Sequence, residues 1–327
     1  MRTNSVYGVT IGDPSGVGPE ILLKAEALGE IQQTYVAYGD VAVLRFYNER
    51  LSLGVSIRAV SSPADVQAGC LNVIDHGLLT SSDVRPGQLD RMAGAAAREY
   101  VVTATKAALA GKIAAMVTLP MNKEATQLSD PGFTGHTELI GALCGAQDVT
   151  IMLVSDQLIV THVSTHMSLR NAIAAAKKER ISKIIQLTSD AVCRLIPNAR
   201  IAVAGLNPHA GEHGLFGDEE MNEIEPAVAW ARQQGMPVEG PFPPDTLFYM
   251  AVRRKRFDAI VCMYHDQGHV PLKLLDFEGG VNVALGLPIV RTSVDHGTAF
   301  DIAGTGVAST ASLIRAMKLA VRLADGV

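Results

Sequence analysis

The sequence predicts an α/β protein with a mostly parallel sheet flanked by helices. Short β-branched runs alternate with longer alanine-rich stretches of helical spacing along the 327 residues. Three of the strand runs are apolar enough to be buried, and each leads into a polar segment bearing a histidine. In α/β proteins the crevice outside the carboxyl ends of the strands is where ligands bind.

Residues 6–11 (VYGVTI) read as the first strand, and residues 19–28 as a helix opened by Pro19 with Glu20 at its positive end. Residues 35–39 form a second strand. A long helix runs from Gln88 to Ala110, where Gly111 can end it, and residues 113–118 (IAAMVT) return as a strand. Residues 170–195 carry helical spacing through Ile173, Ile181, Ile184, Ile185, Leu187 and Val192 and stop before Pro197. The three histidine-bearing strands are 158–163, 200–206 and 258–263, followed by Ser164-Thr165-His166, by Asn207-Pro208-His209-Ala210-Gly211-Glu212 and by a loop from Tyr264 to His269. Any one of these histidines alone is an ordinary capping or hydrogen-bonding residue. Three delivered from separate strands suggest one metal site with positions left open for substrate.

Hydrophobic residues make up 48% and charged residues 19%, so a sizeable core forms and global disorder is excluded. A net charge of −5 argues against nucleic acid or an anionic membrane as the main partner. Cys70, Cys144, Cys193 and Cys262 are scattered without CxxC spacing; three sit in apolar contexts as core residues, which argues against a disulfide framework or thiolate zinc site. The N-terminal stretch lacks an apolar leader and no run approaches membrane-spanning length, so a cytoplasmic setting is expected. The length suits two domains or one large one, with no linker visible.

Five further segments bear chemistry. Gly12-Asp13-Pro14-Ser15-Gly16-Val17-Gly18-Pro19-Glu20 joins a strand to a helix and suits an anion or a bare tight turn; it is neither GxGxxG nor a P-loop. In Thr118–Glu124, Asn122 and Lys123 meet an anion, or Asn122 caps a helix and Lys123 is solvated. Thr134-Gly135-His136-Thr137-Glu138 suits an anion contact, or a loose helix start. Lys273, Asn282 and Arg291 flank short apolar segments, and two cations with an amide near a metal suit a doubly anionic substrate. The loop Asp295–Gly306 offers backbone donors, and Asp301 could bind ribose hydroxyls.

Together, GDPSGVGPE, NPHAGE, YHDQG, GVN and RTSVDHGTAFDIAG, in this order and over nearly the whole chain, resemble the 4-hydroxythreonine-4-phosphate dehydrogenase family of vitamin B6 biosynthesis. The two end motifs are also similar to those of the wider β-decarboxylating dehydrogenases. The resemblance implies two α/β/α domains of isocitrate/isopropylmalate dehydrogenase-like type, not a usual Rossmann fold, with the active site in the cleft between them. Residues 1–130 with 280–327 would form the cofactor side, and 131–279 the metal-binding and dimerisation domain.

The family's metal ligands map to His166, His209 and His265, with the site shared across a homodimer; zinc is the expected ion, with Mg, Co or Mn as alternatives. Substrate contacts map to His136, Thr137, Asp245, Lys273, Asn282 and Arg291, of which Lys273 or Asp245 relays the proton. The adenosine loop of NAD maps to His296, Gly297, Thr298, Ala299, Asp301 and Gly304. The expected reaction is oxidation and decarboxylation of a 4-phosphorylated 3-hydroxy acid. Thr118-Leu119-Pro120-Met121-Asn122-Lys123 departs from the usual TAP-x-NK pattern, and His269-Val270-Pro271-Leu272-Lys273-Leu274-Leu275 looks more like the branch acting on 4-phospho-D-threonate or 4-phospho-D-erythronate. The alternatives are a cis-dihydrodiol dehydrogenase of the same family, whose branch tends to lose the GHTE and NKE residues kept here, and a non-redox metal-dependent phosphate-ester enzyme.

Overall fold

The computed structural model describes residues 5–277 and 279–326. The described residues form two compact units, one of those up to Gln147 together with Leu287–Asp325, the other of Asp148–Gly286. The changes of unit thus fall at 147/148 and 286/287, where sequence reasoning set approximate boundaries at 130/131 and 279/280.

In the first unit six strands lie in the order β3 (Ile57–Val60), β4 (Leu71–Asp75), β2 (Tyr35–Gly39), β1 (Tyr7–Thr10), β5 (Met116–Thr118), β12 (Arg291–Val294). All of these pairings are parallel. β1, β2, β5 and β12 are buried along their whole length, as strands covered on both faces are. Their helices are α1 (Gly18–Ala27), α2 (Val41–Arg50), α3 (Arg91–Leu109), α4 (Lys123–Gln127), α5 (His136–Leu143) and α11 (Ala311–Asp325). α3 starts three residues later than expected because Asp90 caps it, accepting from the Ala93 N–H at 2.9 Å. It ends as expected, with Gly111 at φ +68°. α3 lies so close to α4 that a Cβ on Gly94 would meet the backbone of Ala125.

In the second unit the order is β11 (Val281–Leu285), β6 (Thr150–Val154), β7 (Ile159–His162), β10 (Ala259–Cys262), β8 (Ile201–Ala204), β9 (Val238–Phe242). β6 runs antiparallel to both its neighbours and the remaining pairs are parallel. Its helices are α6 (Leu169–Ala175), α7 (Lys178–Leu195), α8 (Glu225–Gln233), α9 (Pro244–Val252) and α10 (His265–Leu275).

Three local expectations are corrected here. The helix expected over 170–195 breaks at Ala176 and Lys177, because the Glu223 carboxylate accepts from the Lys178 N–H at 2.8 Å and starts a new helix there. The loop expected from Tyr264 to His269 is the first turn of α10, which continues through Pro271. Of the cysteines, only Cys262 is buried; Cys70 and Cys144 are half-buried, Cys193 is exposed, and all four are free thiols. Among the described residues no helix is long and apolar enough to cross a membrane.

The two glycine-rich end motifs lock together in the first unit. The fully buried Glu20 carboxylate accepts the N–H of Gly304 at 2.9 Å and of Ala308 at 3.0 Å. Val17 N–H donates to Thr298 O at 3.0 Å, and Lys24 Nζ donates to Gly306 O at 2.7 Å and Ala308 O at 2.5 Å. Glu20→Ala strands two buried donors and should cost about 3 kcal/mol. Urea unfolding measures this; a loss below about 0.5 kcal/mol would show that the lock adds no more than an ordinary surface contact.

Candidate active site

Most of the chemistry-bearing residues sit at strand ends or helix starts. In the first unit, Arg291 opens β12 and is 3% exposed. Its guanidinium donates to Thr118 Oγ1 from Nη2 at 2.7 Å and from Nε at 3.2 Å. Burial pulls it down to about 10, opposed by the Glu138 carboxylate, so it remains a cation at neutral pH. His136 and Thr137 begin α5, in line with the loose helix-start signal of Thr134 with Glu138, although the N-cap residue is Gly135. Burial, reinforced by Arg291, pushes His136 down to about 3, so its imidazole is neutral, and its Nε2 is buried without a protein partner among the described residues. A buried guanidinium, a neutral imidazole and the start of a helix form an anion-binding set.

Asn122 takes the structural role: its Oδ1 caps α4 by accepting from Ala125 N–H at 2.9 Å, and Lys123 is exposed. The β12–α11 loop carries His296, Gly297, Thr298, Ala299, Asp301 and Gly304. His296, Gly297 and Asp301 are exposed, while Thr298 is buried against Gly16 and Val17. Ala299 is held at φ +42° and Gly304 at φ +72°. Asp13, missed as a special group by sequence reasoning, is fully buried; its Oδ1 accepts from Ser15 N–H at 2.8 Å and its Oδ2 has no partner among the described residues. Burial lifts its carboxyl to about 6 against the pull of the Ser15 and Asn122 N–H groups.

In the second unit the rings of His166 and His265 lie 5.7 Å apart. Both line a cavity of about 550 Å³, with Thr165, Ser168, Tyr264 and Asp266. Asp266 Oδ1 sits 2.7 Å from His265 Nδ1, the arrangement that fixes a ring with its other nitrogen available to a cation. His209 has Asp245 beside it, Nδ1 to Oδ2 4.0 Å, and both side chains are 59% exposed. The three histidines are not brought together: among the described residues no three His, Cys, Asp or Glu side chains converge on a cation. Lys273, on α10, is half-buried with its ammonium 5.2 Å from the centre of the Phe277 ring. Asn282, on β11, holds a buried Oδ1 without a protein partner among the described residues.

Two histidines that sequence reasoning passed over join this group. His162, fully buried at the end of β7, has Nε2 3.2 Å from His269 Nδ1, and His269 stacks on His265 at 3.6 Å. Burial, then the neighbouring His269, lowers His162 to about 3, so it is neutral. The four-residue spacing of His265 and His269 was the available signal, hidden by taking the segment as a loop. The segment bearing His209 is a backbone rarity. His209, Ala210, Gly211, Glu212 and His213 all have left-handed φ/ψ, and only one of them is glycine. Each non-glycine residue there costs about 1 kcal/mol or more.

The chain matches the family described as "Pyridoxal phosphate biosynthetic protein PdxA" over residues 31–320. The chain belongs to the PdxA family. A curated family member, the D-threonate 4-phosphate dehydrogenase of Pectobacterium atrosepticum, is 42% identical over 98% of this chain and 100% of its own. A crystal structure of 4-hydroxythreonine-4-phosphate dehydrogenase from Klebsiella pneumoniae is 43% identical, covers 98% of this chain and 100% of its own, and superposes with a TM-score of 0.87. A β-decarboxylating dehydrogenase from Thermococcus kodakarensis is only 14% identical, with 96% of this chain and 82% of its own covered and a TM-score of 0.53; it shares the fold alone, the one that the end motifs implied.

The raised Asp13 carboxyl predicts a pH signature. Its proton is held more tightly in the folded chain, at about 6, than at the ordinary 3.8. The stability it contributes is therefore complete below pH ~4 and lost as pH rises through ~6, on the order of 2–3 kcal/mol in all. Thermal unfolding of Asp13→Asn against the parent from pH 4 to pH 8 should show a difference that changes across this window. Parallel curves would place the Asp13 titration outside it.

Proposed function

We propose that the chain is an NAD-dependent, divalent-metal-dependent dehydrogenase that oxidises and decarboxylates a 4-phosphorylated 3-hydroxy acid, with D-threonate 4-phosphate as its substrate. The single observation that carries the reading is the buried Arg291 beside a neutral His136 at the start of α5. This set favours a phosphate, and membership of a family with dehydrogenases named for two 4-phosphorylated substrates supports the rest.

Arg291 binds the dianion through the guanidinium face not taken by Thr118. Neutral His136 donates a hydrogen bond without requiring its own counter-ion, and Thr137 adds a hydroxyl. In the second unit, His166 and His265 fit a divalent cation, each an imidazole on the same cavity, with Asp266 orienting the second. His209 stands apart from them, exposed and backed by Asp245, as a ligand offered to a second copy of the chain would stand. We therefore propose a homodimer whose metal is held by His166 and His265 of one subunit and His209 of the other. The metal, zinc or another divalent ion, when bound supplies Lewis acidity to the substrate hydroxyl and to the developing enolate. NAD supplies the hydride acceptor, and the exposed His296, Gly297 and Asp301 with the Ala299 turn suit its adenosine. Lys273 and Asp245 hold and move the proton of the C3 hydroxyl, and Lys273 stabilises negative charge as CO₂ leaves. Asn282 Oδ1 accepts from the substituent at C2.

The 2-amino analogue, 4-hydroxythreonine-4-phosphate, is the second reading, favoured by the Klebsiella pneumoniae relative. NADH formation by zinc-loaded enzyme decides between them: the hydroxy acid should be oxidised with the higher kcat/KM. Preference for the amino acid moves the protein to pyridoxal phosphate biosynthesis, and no NADH from either sinks the dehydrogenase reading. Arg291→Met should lower kcat/KM for the phosphorylated substrate by roughly a hundredfold, the loss of two charge-assisted hydrogen bonds. An equal loss on the unphosphorylated acid would remove Arg291 from phosphate binding.

A further inference from the structure

The left-handed segment raises a question that the reaction does not answer: what holds four non-glycine residues in a conformation they avoid. Such a run persists only where its surroundings over-determine it. The surroundings here converge on one carboxylate. Glu220 is 1% exposed, yet both its oxygens are engaged. Oε1 accepts the N–H of Leu206 and of Asn207, each at 2.7 Å, and Oε2 accepts Asn207 Nδ2 at 2.9 Å. Asn207 is bound a second time, its Nδ2 donating to Glu219 Oε2 at 2.7 Å. These bonds fix the two residues just before Pro208, from which the left-handed run departs.

The carboxylate also fits the turn sterically. A Cβ on Gly211 would lie 2.7 Å from Glu220 Oε2, and one on Gly205 would lie 3.1 Å from Oε1 and 2.9 Å from Ala210 Cα. The turn closes on the carboxylate because both positions are glycine. Glu220 itself opens a π-helical turn, Glu220–Ile224, that runs into α8; turns of this kind often accompany functional sites. On the far side the turn is closed by Phe216 N–H to Gly211 O at 3.1 Å and Leu215 N–H to Glu212 O at 3.2 Å. His209 emerges from this knot with its side chain exposed.

We infer that Glu220 is a positioning residue for His209: its buried carboxylate holds the 208–214 turn left-handed and so presents the imidazole to a divalent cation. The inference rests on the reading of His209 as a metal ligand and extends it to a residue that touches neither metal nor substrate.

Glu220→Gln tests it. The glutamine keeps the size and one acceptor, but its amide nitrogen faces Asn207 Nδ2, donor against donor. Zinc affinity, read by competition with a chromogenic chelator, should fall about tenfold or more, as when the support that orients a metal ligand is lost. Hydrogen exchange should quicken in 206–217 and stay unchanged elsewhere. Combined with His209→Ala, Glu220→Gln should add no further loss. Ala210→Gly in the Glu220→Gln background should recover part of the affinity, because glycine adopts φ +53° without penalty. Parent-like zinc affinity in Glu220→Gln, losses that multiply with His209→Ala, or no recovery from Ala210→Gly would each overturn the inference. So would failure of both Glu220→Gln chains to fold, which would make Glu220 a residue of the fold alone. Unchanged affinity in His209→Ala by itself would instead strike the metal-ligand reading beneath the inference.

Discussion

A buried carboxylate that collects backbone N–H groups is the interaction on which the first unit depends. Glu20 enters α1 one turn after a glycine-rich loop and reaches across to Gly304 and Ala308, 284 and 288 residues away in sequence. The loop it holds has no regular structure to pair its own donors. An unpaired buried N–H costs as much as a hydrogen bond gains. The lock therefore lets a glycine-rich, irregular loop sit in a fixed place, and Lys24 completes it from the same helix by taking the carbonyls of Gly306 and Ala308. The second unit repeats the device with Glu220, whose targets are Leu206 and Asn207. In both units irregular backbone beyond a strand end is held by an acid from a helical segment.

This dependence explains what was legible in the sequence. β2 matches its expected residues, and the strands β1, β7, β8 and β10 were recognised within a residue or two of their ends, because runs of apolar β-branched residues report burial directly. Gly111 marked the end of α3 because only glycine adopts φ +68° there easily. The break between α6 and α7 was not legible, since it is made by Glu223 from a distant segment and not by a local breaker. The first turn of α10 was hidden because the polar, histidine-bearing segment after β10 reads as a loop. In the site, Arg291 stood out as a cation flanking an apolar segment, and His136 as part of a glycine turn suited to an anion. Glu220 and His162 did not, for their roles arise from tertiary contacts: nothing in the local sequence shows that one carboxylate meets Leu206 and Asn207, or that Gly268 lets His162 approach His269.

The electrostatics of the two units differ in a way that suits one reaction. The first unit buries a cation beside a neutral histidine, and burial lifts the Asp13 carboxyl towards its neutral form. It is equipped to hold negative charge. The second unit carries several imidazoles, two of them with carboxylates beside them, Asp266 at His265 and Asp245 at His209, which is the part the proposed metal would use. The function proposed above calls for both features, an anion contact and a Lewis acid for an alcohol oxidation.

The central claim is that His166 and His265 of one subunit share a metal with His209 of the other. Mixing two inactive variants, His166→Ala and His209→Ala, tests it most directly. In a mixed dimer with twofold symmetry one site carries both defects and the other carries none. The account predicts that subunit exchange restores zinc binding and NADH formation that neither variant shows alone. Variants that stay inactive and metal-free after verified exchange would contradict it and place the three histidines in separate roles.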